Sequence, residues 1–242
     1  MKILFAPSEA KQEGGKGSFT LDKLCCPSLN NIRAKLINEY EKIILGSNLQ
    51  AKKALTGLKK ESDLKAFGKI MGAPVLKAIT RYSGVAYEYL SYENLPKDAQ
   101  TYIDENVFIF SNLFGVLQAH DEIPLYKVKQ GANIGTYKVE VLYFQALKEP
   151  LDEFLGEEIL DLSPTFYKKF YKPSAKVMQL KFLKNNKIVS HWAKAYRGVV
   201  LKEIAKNNVQ SFDAFLQLQI PNLAIKEIKE SKRKIEVIFE II

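Results

Sequence analysis

The 242-residue chain carries 36 Lys and Arg against 27 Asp and Glu, a formal net charge of +9, with 47% hydrophobic residues. This is enough apolar material for one substantial core, which excludes a disordered or fibrous chain, and no run of about 18 or more apolar residues offers a membrane-spanning helix. Lys2 to Pro7 is too short and too soon polar for a secretory signal, so a cytoplasmic protein with no membrane partner is expected. Cys25 and Cys26 are adjacent, which strains any disulfide between them, and two His are too few for a Cys/His metal set. Neither a metal nor a cofactor is expected.

In chain order, Lys2 to Ala6 predicts a short buried strand ending at Pro7-Ser8-Glu9-Ala10-Lys11, followed by a loop with Gly14, Gly15 and Gly17. Ser28 is placed to cap a helix to Leu45, with Ile32, Leu36, Tyr40, Ile43 and Ile44 along one side and Gly46 as the stop. Shorter helical patterns occupy 49–56, 62–70, 74–80 and 84–91. Val107–Phe110 and Ile159–Leu162 read as interior strands, joined by a helix over 137–155 with a break at Pro150. Val177–Leu183 alternates as a strand, Asn185-Asn186 turns it into a partner at Ile188–His191, and Ala193–Lys206 is helical. A second helix begins at Ser211, and Ile235–Ile241 is a final strand. No repeat or linker divides the chain, so the expectation is a single α/β domain over 1–242, α+β-like in places, with a mixed sheet flanked by helices.

The charge is concentrated. Leu162 to Lys202 holds ten Lys and Arg and no Asp or Glu, leaving 26 basic and 27 acidic residues elsewhere. The same stretch contains Phe166, Tyr167, Phe170, Tyr171, Phe182, Trp192 and Tyr196. Cations beside flat π-faces suit a phosphate-rich partner with stacked bases. The same pattern also arises when lysines solvate one face while aromatics build core.

Three blocks set basic and aromatic residues beside glycine: Arg81-Tyr82-Ser83-Gly84 with Tyr87, Phe114-Gly115 with Asp121, Tyr126 and Lys127, and Lys194-Ala195-Tyr196-Arg197-Gly198. Arg grips phosphate or carboxylate through two N–H groups, Tyr stacks or donates a hydrogen bond, and glycine permits close backbone approach. Lys194 and Arg197 share a helix face at i,i+3. Arg197 has an equally available structural role against Asp161 or Asp121.

These blocks, with Pro7-Ser8-Glu9-Ala10-Lys11 and Ser111-Asn112-Leu113-Phe114-Gly115-Val116-Leu117, stand in an order and spacing that resembles the YaaA peroxide-stress protein family over nearly the whole chain. The resemblance implies a single α/β domain of unusual topology, a role in hydrogen peroxide tolerance and in limiting free iron, and duplex nucleic acid, DNA or alternatively RNA, as the partner in a basic cleft. It also implies a helix-hairpin-helix element at about 49–70, with Gly57, Lys59 and Lys60 at its turn. Cleft residues carried over by position are Lys11, Arg81, Tyr82, Tyr87, Asp121, Tyr126, Lys127, Lys194 and Arg197. The alternative is an enzyme acting on a phosphorylated or nucleotide-like small molecule in the same cleft. There Lys11, Arg81 and Arg197 would hold the anion, Asp121 would be the general acid or base, and Ser8 or Tyr82 would orient the substrate. No Walker loop, dinucleotide fingerprint or Ser/His/Asp set selects a reaction.

Overall fold

The computed structural model describes residues 1–242, apart from the side chains of Ile188, Ser190 and His191. In chain order the elements are β1 (Lys2–Phe5), α1 (Asn30–Leu45), α2 (Leu49–Thr56), α3 (Glu61–Leu64), β2 (Val75–Lys77), α4 (Ala78–Arg81), α5 (Val85–Leu90), α6 (Lys97–Asn106), β3 (Val107–Ser111), β4 (Gly115–Gln118) and β5 (Glu122–Pro124). There follow α7 (Val139–Ala146), α8 (Lys148–Leu155), β6 (Glu158–Asp161), β7 (Lys176–Lys184), β8 (Lys187–Ile188), α9 (Ser190–Lys206), α10 (Phe212–Gln217), β9 (Leu223–Ser231) and β10 (Lys234–Ile241).

Eight strands form one mixed sheet in the order β4-β3-β1-β6-β7-β10-β9, with β8 hydrogen-bonded to the end of β7. β1 runs parallel to β3 and β6, and β6, β7 and β10 continue the parallel run. β4 and β9 pair antiparallel at the two edges. Every residue of β3 is buried, as are Ile3, Leu4 and Phe5 of β1. Strands covered on both faces must be apolar at successive positions, which is why Val107-Phe108-Ile109-Phe110 and Ile3-Leu4-Phe5 read as unbroken hydrophobic runs. The small sheet pairs β2 with β5.

The mixed α/β architecture agrees with the expectation, and the differences are local. Ser28 does not cap α1: Pro27 opens a 3-10 turn over Pro27–Leu29, and the helix follows with Leu29 in front of it. Arg33 then reaches back to the carbonyls of Cys25 and Cys26 and to Asn30 Oδ1, tying down this entry. The 62–70 pattern yields one turn, α3, and the 74–80 pattern is divided between β2 and α4, because Val75 pairs with Lys16 and Pro124 before the chain coils. The helix over 137–155 breaks at Leu147. Pro150 falls in the first turn of α8, where its missing N–H has no helical partner to lose.

Asn185 and Asn186 both adopt positive φ, as a two-residue hairpin turn between β7 and β8 requires. The partner strand is shorter than Ile188–His191, and α9 starts at Ser190; the side chain of His191 lies outside the described residues. Ser211 caps α10 by accepting from Ala214 N. α6, β4, β5 and β9 have no counterpart among the predicted elements. Eight of the nine residues of β9 are exposed, so its strand form depends on the ladder to β10 rather than on a buried face. No helix among the described residues is long and apolar enough to cross a membrane.

Candidate functional site

From β1 the chain leads to β3 on one side, whereas β6 leads to β7 on the other, so the connections diverge between the adjacent strands β1 and β6. In an open α/β sheet this divergence opens a crevice beyond the carboxyl ends of the strands. A cavity of about 390 Å³ lies there, lined by Ala6 to Lys11 after β1, Asn112 after β3 and Pro164 after β6. Tyr82, Ser83, Gly84 and Tyr87 close one wall, Tyr126, Gln130 and Tyr167 another, and Lys194 and Arg197 of α9 complete it.

Lys11 is the central cation. Its Nζ lies 4.1 Å from the Tyr126 ring centroid and 4.8 Å from that of Tyr82, and donates to Ser8 O at 3.2 Å. Backbone bridging between Lys11 and Tyr82 holds the loop against the start of α5. Burial, and after it the positive charge of Lys127, lowers the Lys11 pKa to about 7, with Glu9 opposing and Arg81 adding to the shift. The Tyr126 hydroxyl sits 2.7 Å from both Tyr82 Oη and Ser111 Oγ, and Ser111 Oγ accepts from the N–H groups of Leu113 and Phe114. Burial raises the pKa of Tyr126 to about 12 and pushes that of Tyr82 well above the ordinary phenol value, so both stay neutral phenols.

Seven of the predicted residues meet at the cavity and the others do not. Ser8, Lys11, Tyr82, Tyr87, Tyr126, Lys194 and Arg197 do line the cavity. Tyr87 contributes its ring, since its hydroxyl donates to Ala6 O at 2.7 Å. Arg197 has no hydrogen bond to another described residue, and burial lowers its pKa against the opposing charge of Asp161. Lys127 stands behind the wall, its Nζ 3.1 Å from Glu9 O and 3.4 Å from Glu9 Oε2.

Arg81 and Asp121 are elsewhere. Arg81 is fully buried, donating to the carbonyls of Gln12, Gly14, Pro74 and Ile123. It fixes the glycine loop, and at Gly15 a Cβ would press on Val75 O at 2.6 Å. Asp121 is 2% exposed and accepts from Cys25 N and Gln118 N, joining the β4–β5 turn to the Cys25 segment. Burial raises its pKa, and the hydrogen bonds from Cys25 and Gln118 pull it back. Gly57 ends α2 at φ +73, exposed Lys59 and Lys60 follow, and α3 begins at Glu61.

Glu9, Asn112, Gln130 and Tyr167 are site residues with no place in the predicted cleft. Glu9 accepts from Gln130 N at 3.0 Å, and Tyr167 donates to Asn112 Oδ1 at 3.2 Å. Asn112 and Glu9 sit inside the quoted blocks and were accessible to the sequence; Gln130 reaches the cavity through an irregular loop without a pattern.

On the side of Lys168, two more hollows share lining residues with the cavity, Arg197 and Tyr167. One of about 320 Å³ begins at Arg197 and is lined by Asp161, Lys168, Lys181, Lys234 and Glu236. The next, about 220 Å³, shares Asp161, Lys168 and Lys234 with it and adds Lys172 and Arg233. Lys181 and Lys234 are paired with Glu236 at 2.9 and 3.0 Å, whereas Lys168, Lys172, Lys194, Arg197 and Arg233 form no ion pair among the described residues.

A mixed sheet with helices around it and a crevice at its topological switch point, lined by Lys11, Lys194 and Arg197 among others, places the chain among open α/β proteins. The profile of the peroxide stress protein YaaA family matches residues 1–229, and the chain belongs to that family. It is 43% identical over 245 residues to an uncharacterized protein of Campylobacter jejuni, covering the whole of both chains. It is similar at 27% identity to a UPF0246 protein of Corynebacterium glutamicum, with 96% of each chain covered, and at 26% to one of Streptomyces coelicolor, with 84% and 82% covered.

Proposed function

We infer that this peroxide-stress protein binds duplex nucleic acid, DNA in the first instance, along the trough that runs from Lys194 and Arg197 to Lys172 and Arg233. The observation that carries the reading is the confluence of three adjoining hollows whose unpaired cations come mainly from the acid-free stretch. Such cations displace condensed counterions from phosphates and read little sequence. Covering the duplex would limit its exposure to iron-driven oxidation.

The test is affinity for unrelated duplexes across a salt series. About six phosphate contacts give a log–log slope of about −5, with similar values for every sequence. Replacing Lys168 and Lys172 by Ala removes about two units of that slope. A response flat in salt defeats the reading.

A second reading, an enzyme acting on a phosphorylated or nucleotide-like small molecule, is favoured by one specific feature. The first cavity, at about 390 Å³, has the size of a small-molecule site and places Lys11 between two aromatic rings. Asp121 lines none of it, so acid–base work there would fall to groups that do, Lys11 and Glu9.

A further inference from the structure

The geometry points to Lys11 as an amine nucleophile that captures the aldehyde carbon of a phosphorylated sugar in the cavity and holds it as an imine. This deepens the phosphate-binding reading above and rests on it. The shared chemistry has two sources: an abasic nucleotide within DNA, whose ring-opened deoxyribose is an aldehyde flanked by phosphates, or a free sugar phosphate.

Three observations carry the assignment. First, Lys11 has no carboxylate of its own: its one hydrogen bond among the described residues goes to Ser8 O, while the Glu9 carboxylate is taken by Lys127 and Gln130 N. Second, the amine is flanked by the rings of Tyr82 and Tyr126, with Lys127 and Arg81 adding positive charge nearby. Desolvation beside other cations is how an amine is kept unprotonated and nucleophilic near neutral pH. Third, Lys194 and Arg197 face the same cavity, where phosphate held by them brings the carbonyl carbon to a fixed amine.

The step balances without an oxidant or reductant. The Nζ lone pair forms a C–N bond as the C=O π electrons move to oxygen, giving a carbinolamine. That oxygen takes up the two protons that the nitrogen gives up and leaves as water, and C=N replaces C=O. Hydrolysis reverses the step.

The full chain is incubated with cyanoborohydride and a duplex bearing one abasic site, the same duplex intact, or free deoxyribose 5-phosphate. Cyanoborohydride reduces an imine to a stable secondary amine. The expected result is an adduct on Lys11, located by peptide mass spectrometry, whose rate of formation rises through pH of about 7. It is lost in Lys11→Arg, which keeps the charge, and in Lys11→Met, while Lys97→Met on α6 leaves it unchanged. Thermal melts of both Lys11 variants report that they fold.

Adduct on the abasic duplex supports the DNA source, and adduct on the free sugar alone supports the other. Adducts scattered over many lysines, or persisting in Lys11→Arg, overturn the proposal. Salt-dependent duplex binding without any adduct overturns it while leaving the binding reading intact. Adduct on the free sugar without duplex binding sinks the binding reading instead.

Discussion

Arg81 and Lys11 come from conspicuous blocks and have opposite fates. Arg81 spends its guanidinium on four backbone carbonyls, the use for which a rigid fork of five donors suits a buried position, and it is thereby withdrawn from any ligand. Lys11 keeps its amine in the cavity wall with a single carbonyl partner, and this has a pH signature. Its folded-state pKa, about 7, lies below the ordinary value of 10.5. Below about pH 7 both states are protonated and the burial penalty is complete. Between there and 10.5 the unfolded chain holds a proton that the folded chain does not, so stability climbs with pH. Urea melts at about pH 6, 8 and 10 are expected to show this climb in the natural chain and its absence in Lys11→Met. Parallel curves for the two proteins exclude a depressed Lys11.

Among the elements, α9 both carries the site and depends on a glycine. A Cβ at Gly198 would run into Ala86 O and approach Leu90 N at 2.9 Å, so α5 and α9 pack backbone to backbone there. Close packing brings Lys194 and Arg197 over the loop after β1. Gly198→Ala is expected to destabilise the protein by about 3 kcal/mol or more, measured by denaturant unfolding, because two helices rather than one flexible side chain must shift. Gly115 plays the corresponding part beneath the Tyr143 ring, at φ +79. The glycines of two motif blocks thus serve helix and ring packing, whereas the sequence reading assigns them to ligand approach. Spacing does not separate these uses, since both need a missing Cβ.

For the molecule as a whole, the proposed duplex either stops at the trough or continues to the turn between α2 and α3. Gly57, Lys59 and Lys60 leave the compact end of α2 on an exposed four-residue connection, and α3 is a single turn. If this turn grips the backbone of the same duplex, replacing Lys59 and Lys60 by Ala lowers the salt slope by about two units without changing the melting temperature. An unchanged slope places the hairpin outside the interface.

Most of the architecture was legible in local pattern. The apolar runs of β1, β3 and β6, the Asn-Asn turn after β7, the helix start at Ser211 and the acid-free stretch each follow from residue chemistry acting over a few positions. β9 was not, because eight exposed residues acquire strand form only from β10. The site was legible in part. Sequence brought forward the cations and tyrosines, but which of them meet depends on β1 lying between β3 and β6, a long-range pairing that no local spacing encodes. Side-chain chemistry determined which cations and tyrosines this chain has to offer a site; tertiary structure decided that Lys11, Lys194 and Arg197 face one cavity while Arg81 and Asp121 are consumed by backbone partners. The physical reason is that a buried charge or carboxylate must find hydrogen bonds wherever the fold leaves carbonyls and N–H groups unpaired, and that supply is known only once the chain has packed.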